Sequence, residues 1–260
     1  MSYLIDTHAH LDFPELHSKL DVIIDNAKNQ NVMKIITIST NLNKIEKIIQ
    51  ISNDYDNVYF TVGVHPNEVL KDKNYVNYSL ISDIADNLKC VGIGECGLDY
   101  HFGYEDKEKQ KLSFTTQIKV ARDTGLPLII HSRDADDDMI NILQDEYKKG
   151  AFKAILHCFS SGKELALCGL DLGFYISFSG IVTFKSAKLI QEIACIVPKD
   201  RILVETDAPY LAPSPFRGTV NEPKNCFHTA KFLSEIRNSN FNDFTNHLCM
   251  NSLKIFDKML

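Results

Sequence analysis

Eight short apolar runs recur along the chain, each ending in polar residues and each followed by an amphipathic stretch. They read YLIDTH from Tyr3, MKIITIS from Met33, VYFTVGVH from Val58, CVGIGE from Cys90, LIIHS from Leu128, KAILHC from Lys153, FYISFSG from Phe174 and RILVETD from Arg201. Several are near-continuous Val/Ile/Leu runs, the pattern of parallel strands covered on both faces. Between them, Leu16, Leu20, Ile23, Ile24 and Ala27 keep helical spacing, as do Leu42, Ile45, Ile48 and Ile49. Gly125 followed by Pro127 reads as a helix stop that feeds the next strand. Strand–helix alternation of this kind predicts a closed (β/α)8 TIM barrel, with an open doubly wound sheet as the alternative. The stretch from Phe241 to Phe256 reads as a closing helix. No internal repeat, low-complexity tract or linker divides the chain, so residues 1–260 are expected to form a single domain. That length suits a barrel, which takes roughly 250 residues.

The hydrophobic fraction is 44 % and the charged fraction 24 %, enough for a sizeable core and contrary to disorder. Lys and Arg number 28 against 34 Asp and Glu, a net charge of -6. A basic nucleic-acid-binding face is therefore not signalled by bulk charge. Seven cysteines, an odd count without a CxxC pair, point to reduced thiols rather than a disulfide framework or a cysteine zinc cluster. No secretory leader is read at the N-terminus, and no apolar run reaches the roughly 18 residues of a membrane span. A soluble, cytoplasmic protein is expected, with no membrane association, no obligate protein partner and a monomeric state.

The placement of metal-type side chains carries the functional reading. His8, His10, His131 and His157 stand at the ends of the first, fifth and sixth expected strands, Glu95 at the end of the fourth and Asp207 at the end of the eighth. A parallel barrel gathers all such ends on one rim, where its active site lies. His8 and His10 are two residues apart, so both imidazoles project to one side of a strand and can reach one ion. The same parity sets Glu205 one layer beneath Asp207 and Asp6 beneath His8. Buried carboxylates are costly unless paired or bound to metal. Six ligands exceed the three that a single catalytic zinc takes from protein, and they suit two divalent cations sharing a carboxylate. Glu95, from a middle strand, is assigned the bridge. His8, His10 and Asp207 would complete one site, and His131 and His157 the other.

Such a pair stabilises both the attacking and the departing oxygen of a displacement and acidifies a bridging water to hydroxide near neutral pH. Asp207 would then take the remaining proton; Glu95 as the bridge and Glu205, a candidate to orient a ligand or a water or else a buried structural acid, complete the catalytic candidates. Two divalent ions carry +4 against -3 for two carboxylates and one hydroxide. The residual charge would draw an anion despite the acidic whole, because exposed charges are screened beyond about 8–10 Å. Arg133, two residues past His131, and Arg217, in the loop after the eighth strand, are candidates for phosphate contact. His65 is a further substrate-contact candidate, weighed against a turn-capping role before Pro66. Cys158 is expected on the opposite face from His157. His17, His101, His228 and His247 are expected to be bystanders.

These residues fall in DTHAHLD at 6–12, GVHP at 63–66, GIGECGLDY at 92–100, IHSRDAD at 130–136, HCFS at 157–160, SFSGIVTF at 177–184, ETDAPYLAP at 205–213 and RGTVNEP at 217–223. In order and over nearly the whole chain, they resemble the TatD-type metal-dependent deoxyribonucleases of the amidohydrolase-like barrel superfamily. The resemblance implies a TIM barrel with a two-cation site, hydrolysing phosphodiester bonds of DNA as a 3′→5′ exonuclease on single strands or damaged ends. It places His8 and His10 on the first histidine pair, Glu95 on the bridging glutamate, His131 and His157 on the next two ligands, and Asp207 on the final aspartate. Cys96, Asn67 and the extra Ser161 depart from the usual pattern near the mouth without touching a ligand, and they leave substrate preference open. DNA is the expected substrate, with RNA a further candidate. Zinc, magnesium and manganese all suit the donor set. Two other functions fit the same ligands: hydrolysis of an ester or amide such as an aminoacyl-tRNA or a lactone, and a binding barrel that has lost its chemistry.

Overall fold

All eight expected strands form, each starting within one residue of its apolar run: β1 Leu4–Ala9, β2 Val32–Thr37, β3 Val58–Val62, β4 Cys90–Asp99, β5 Leu128–Arg133, β6 Ala154–Leu156, β7 Tyr175–Phe178 and β8 Ile202–Val204. The structure is a computed structural model that describes residues 3–69, 76–102 and 106–260. Every neighbouring pair is parallel, in the order β1-β2-β3-β4-β5-β6-β7-β8. The ends of that order meet. Ala9 and Ala208 form a parallel bridge, the His10 N–H donates to the Ala208 carbonyl at 2.8 Å, and the Asp207 N–H donates to the His8 carbonyl at 2.9 Å. The sheet is thus a nearly closed (β/α)8 barrel of one domain rather than an open sheet.

The helices are α1 Pro14–His17, α2 Leu20–Asn29, α3 Ile45–Asp54, α4 Tyr78–Ala85, α5 Lys107–Thr124, α6 Asp136–Lys149, α7 Lys163–Asp171, α8 Lys188–Ile196, α9 Cys226–Ile236 and α10 Phe241–Ile255. The periodic residues do what their spacing requires: Leu20, Ile23, Ile24 and Ala27 of α2 are buried against the sheet. Gly125 ends α5 in the left-handed region at φ 72°, which a glycine adopts without steric cost, and Pro127 then leads into β5. Asn240 caps α10 by accepting from the Asn242 and Asp243 N–H groups.

Two apolar layers result. One lies between the helices and the outer sheet face. The other fills the barrel with Ile5, Ile36, Val91, Ile129, Ile155, Tyr175 and Leu203, and is plugged by Ile255, Phe256 and Met259 after the chain leaves β8. Each such side chain, fully buried, contributes about 1.5–3 kcal/mol. Among the described residues, the barrel is therefore closed at the end where strands begin, and its cleft opens where they finish. All seven cysteines are free thiols. Among the described residues, no helix is long and apolar enough to cross a membrane.

Strand ends depart from the apolar runs more than strand starts do: β3 stops at Val62, three residues before His65, and the ends of β4, β6 and β8 also shape the site. β4 runs to Asp99, so Glu95 lies inside a strand rather than at its end. Gly94 and Gly97 bracket Glu95 at φ 135° and 138°, and the register with β5 slips between Ile93 and Cys96. A Cβ on Gly97 would lie 2.0 Å from the His131 carbonyl oxygen, so only glycine lets β4 lie this close to β5. β6 stops at Leu156, and Cys158 turns into the left-handed region at φ 42°. β8 stops at Val204, which puts Glu205 and Asp207 in the following loop, Asp207 at φ 56°.

Candidate metal centre

The open rim gathers five imidazoles around one carboxylate. Glu95 reaches inward from β4, 3 % exposed, and its two oxygens face different partners. Oε2 lies 3.4 Å from His8 Nε2 and 3.9 Å from His10 Nε2. Oε1 lies 2.8 Å from His157 Nε2, 3.0 Å from His131 Nδ1 and 3.5 Å from His65 Nε2. Asp207 completes the first group, its Oδ1 3.6 Å from His8 Nε2 and 3.4 Å from His10 Nε2. All six residues assigned as ligands from the sequence are therefore brought together. His65 joins them, although a substrate contact was expected of it. It also caps the turn at 66–68, its Nδ1 accepting from the Asn67 N–H at 3.1 Å.

The donor set fits divalent cations. His8 is completely buried, yet neither of its ring nitrogens has a hydrogen-bond partner, and His10 Nδ1 has none either. Buried polar groups are rarely left so without a ligand to satisfy them. Two donors each about 2.1 Å from a common ion lie about 3.4 Å apart at a tetrahedral angle. The distances from His8 and His10 to Asp207 are of that size. Three triads, His8–His10–Glu95, His8–His157–Asp207 and His65–Glu95–His131, keep their donor atoms within 4.8 Å of one another.

Charge in this pit is set by a contest between burial and pairing. Burial works to raise the Glu95 carboxyl, but the facing His157, His65 and His131 hold it well below its ordinary value. Burial likewise opposes ionisation of Asp207, and His10 and His8 outweigh it. Burial would lower His10, His131 and His157. Asp207 raises His10 instead, Asp99 and Glu95 raise His131, and Glu95 and Glu205 raise His157 well above the imidazole range. Where pairing is weaker burial wins: His65 falls to about 4, and His8 is lowered by burial and by the neighbouring His157.

Other carboxylates hold the imidazoles from behind. Glu205 Oε1 accepts from His157 Nδ1 at 3.2 Å and from the Cys158 N–H at 2.7 Å, so it touches a candidate ligand rather than the cleft. Asp99 Oδ2 lies 3.4 Å from His131 Nε2 and accepts from Asn67 Nδ2 at 2.9 Å, while the His101 and Phe102 N–H groups bond its other oxygen. Asp99 was not anticipated. It stands four residues past Glu95 on the same strand, a same-face spacing that becomes visible once β4 continues beyond Glu95. Asp6 serves the loop instead of a histidine ring: Thr206 N–H and Oγ1 donate to it at 2.9 and 2.6 Å, and burial pushes its carboxyl up to about 8 against those bonds.

Above the cluster lies a cleft of about 1110 Å³, lined by His10, Glu95, His131, His157 and Asp207 at its floor and by Phe13, Phe102, Arg133 and Tyr210 higher up. Cys158 lines it too, with Sγ 3.1 Å from Ser179 Oγ, contrary to the expectation of an opposite face. Strand alternation has ended two residues before it. Arg133 is exposed at the cleft with its guanidinium 4.9 Å over the Phe102 ring. Arg217 is not among the residues that line the cleft; its guanidinium lies 4.1 Å over the Phe184 ring. His17, His101, His228 and His247 stand outside the cluster, His101 on Asp134 at 3.0 Å and His247 on the Asp243 carbonyl at 2.7 Å.

The family model described as TatD related DNase matches residues 5–257. The metal-dependent hydrolase YabD of Bacillus subtilis is 36 % identical over 253 residues, covering 97 % of this chain and 98 % of its own. The metal-dependent hydrolase YcfH of Escherichia coli is 38 % identical over 238 residues, 90 % of this chain and 88 % of its own. Among solved structures, YjjV, a TatD homologue of Escherichia coli, superposes with a TM-score of 0.91 at 26 % identity and 98 % coverage of both chains. The chain belongs to the TatD family and is a metal-dependent hydrolase with several groups of candidate metal ligands.

Proposed function

We propose that this TatD-family hydrolase cleaves phosphodiester bonds of DNA from a strand end, as a 3′→5′ exonuclease using two divalent cations. The observation that carries the reading is the split of Glu95, whose Oε2 faces His8 and His10 while its Oε1 faces His157 and His131. One ion would be held by His8, His10, Asp207 and Oε2 of Glu95. The other would be held by His131, His157 and Oε1, with His65 beside them. Bound there, the cations supply the Lewis-acid charge that draws in a phosphate and acidifies water.

The protein's own groups do the rest. Asp207, ionised under the influence of His10 and His8, accepts the proton of the attacking water. Glu205 orients the ring of His157 by accepting a hydrogen bond from its Nδ1, and the Asp99 carboxylate stands 3.4 Å behind His131 Nε2. Arg133 offers the rim a guanidinium that suits a phosphate. The sealed lower barrel makes the cleft blind, which favours a strand terminus over a continuous duplex.

The test is digestion of 5′-labelled single-stranded oligonucleotides with added Mg²⁺, Mn²⁺ or Zn²⁺. A ladder shortening from the 3′ end is expected from the wild type and none from Glu95→Ala, with the circular dichroism of the two alike. Undiminished cleavage by purified, folded Glu95→Ala would sink the reading. One observation favours the ester or amide alternative: the carboxylates of Glu68, Asp134 and Asp136 line the cleft, and they resist a polyanion. Faster turnover of aminoacyl esters than of oligonucleotides, assayed side by side, would support that alternative.

A further inference from the structure

The mouth of the cleft carries two aromatic surfaces that the metal cluster does not use. On the β8–β1 side, Tyr210 is 53 % exposed and meets Phe13 edge-on, with ring centroids 6.0 Å apart and planes at 85°. Phe13 itself stacks on His10 at 4.8 Å. On the β4–β5 side, Phe102 is 70 % exposed and carries the Arg133 guanidinium at 4.9 Å. The strand order puts these two sides on opposite arcs of the barrel, with Glu95 at the floor between them. Large exposed aromatics are normally withdrawn from water, and here they flank a reactive centre.

The charges around them narrow what they can bind. Among the described residues lining the cleft, Arg133 is the one permanent cation, set against the carboxylates of Glu68, Asp134 and Asp136. This lining offers few side-chain contacts to a row of phosphates, although the Lys44 ammonium stands 5.8 Å over the Phe13 ring. A strand can be held by its bases, because every base offers a π-face and stacks on an aromatic ring without sequence preference.

We propose that Tyr210, backed by Phe13, on one side, and Phe102 with Arg133 on the other, stack the nucleobases that flank the scissile phosphate, so that a single-stranded terminus is recognised through its bases rather than its backbone. The inference rests on the nuclease reading of the same site. Duplex ends are used only after their terminal pairs open, since the bases behind the outermost pair are stacked on both faces and cannot meet these rings while paired.

The experiment compares 3′→5′ digestion of a single-stranded oligonucleotide with that of the same strand carrying abasic residues at its last two positions. The abasic strand keeps every phosphodiester and charge and lacks only the rings to be stacked. The expected result is a KM lower for the intact strand on the order of 10-fold or more, the scale of one or two base–aromatic stacks. Tyr210→Ala and Phe102→Ala each raise the intact-strand KM and narrow its gap from the abasic strand, while Tyr210→Phe retains the wild-type gap. Equal KM for both strands, with the ladder still produced, overturns base stacking and leaves the nuclease reading standing. Failure to cleave either strand removes the nuclease reading and this inference with it.

Discussion

Glu205 is the residue whose replacement separates fold from metal affinity most cleanly. Its Oε1 receives two buried donors, His157 Nδ1 at 3.2 Å and the Cys158 N–H at 2.7 Å. In Glu205→Ala both donors lose their acceptor. At about 1–3 kcal/mol for each orphaned buried group, the loss is of the order of 2–6 kcal/mol of folding stability. Glu205→Gln differs in kind. Its carboxamide oxygen can take both bonds in place, so stability is largely kept, but the negative charge behind His157 is gone. A ring backed by a neutral acceptor is a poorer donor to a cation, and such changes typically cost 10–100-fold in affinity or activity. That corresponds to about 1.4–2.7 kcal/mol. The assay pairs thermal melting of the metal-free proteins with calorimetric titration of Zn²⁺ or Mn²⁺. The expected pattern is a large fall in Tm for the alanine variant, a small one for glutamine, and weakened cation binding in the glutamine variant. A glutamine variant that binds cations and turns over as the wild type does would refute the role of Glu205 behind His157.

Two further outcomes follow from the same geometry. Gly97→Ala would drive a Cβ against backbone atoms of His131, where no side-chain rotation relieves it, at a φ that alanine avoids. It should cost roughly 2–6 kcal/mol, taking 1–3 for the strained φ and 1–3 for the overlap, read as a Tm lower by about 2–4 °C per kcal/mol; a wild-type Tm would contradict the close β4–β5 approach. In the metal-free protein His10, His131 and His157 hold their protons to higher pH than a free imidazole, because facing carboxylates outweigh burial. Cations need the deprotonated nitrogens, so apparent affinity should rise with pH through that raised range, and uptake should release protons. Calorimetry in buffers of unlike ionisation heat detects this, and buffer-independent heats would contradict it.

Strand starts were legible from the sequence to within a residue because apolar runs buried on two faces leave a strong signal. The rim was legible because a parallel barrel brings strand ends together regardless of sequence distance, which is how His8 and Asp207 meet. Strand ends were harder to read. Nothing in the apolar pattern says that β4 passes through Glu95 to Asp99, since the cause is a pair of glycines that admit an unusual backbone path. The same limit hid the orientation of Cys158, where a positive φ replaces the alternation on which parity arguments depend. Asp99 escaped notice because its partners, His131 and Asn67, come from other strands and loops. Arg217 follows a motif of the chain but packs on Phe184, a contact that residue type alone does not foretell.

The central claim is that Glu95 joins two cations, one on each oxygen. Anomalous diffraction from crystals grown with Mn²⁺ tests it directly. The account predicts two peaks, one among His8, His10 and Asp207 and the other among His131 and His157, each in contact with a different oxygen of Glu95. A single ion, or two that both leave Glu95 untouched, would contradict it.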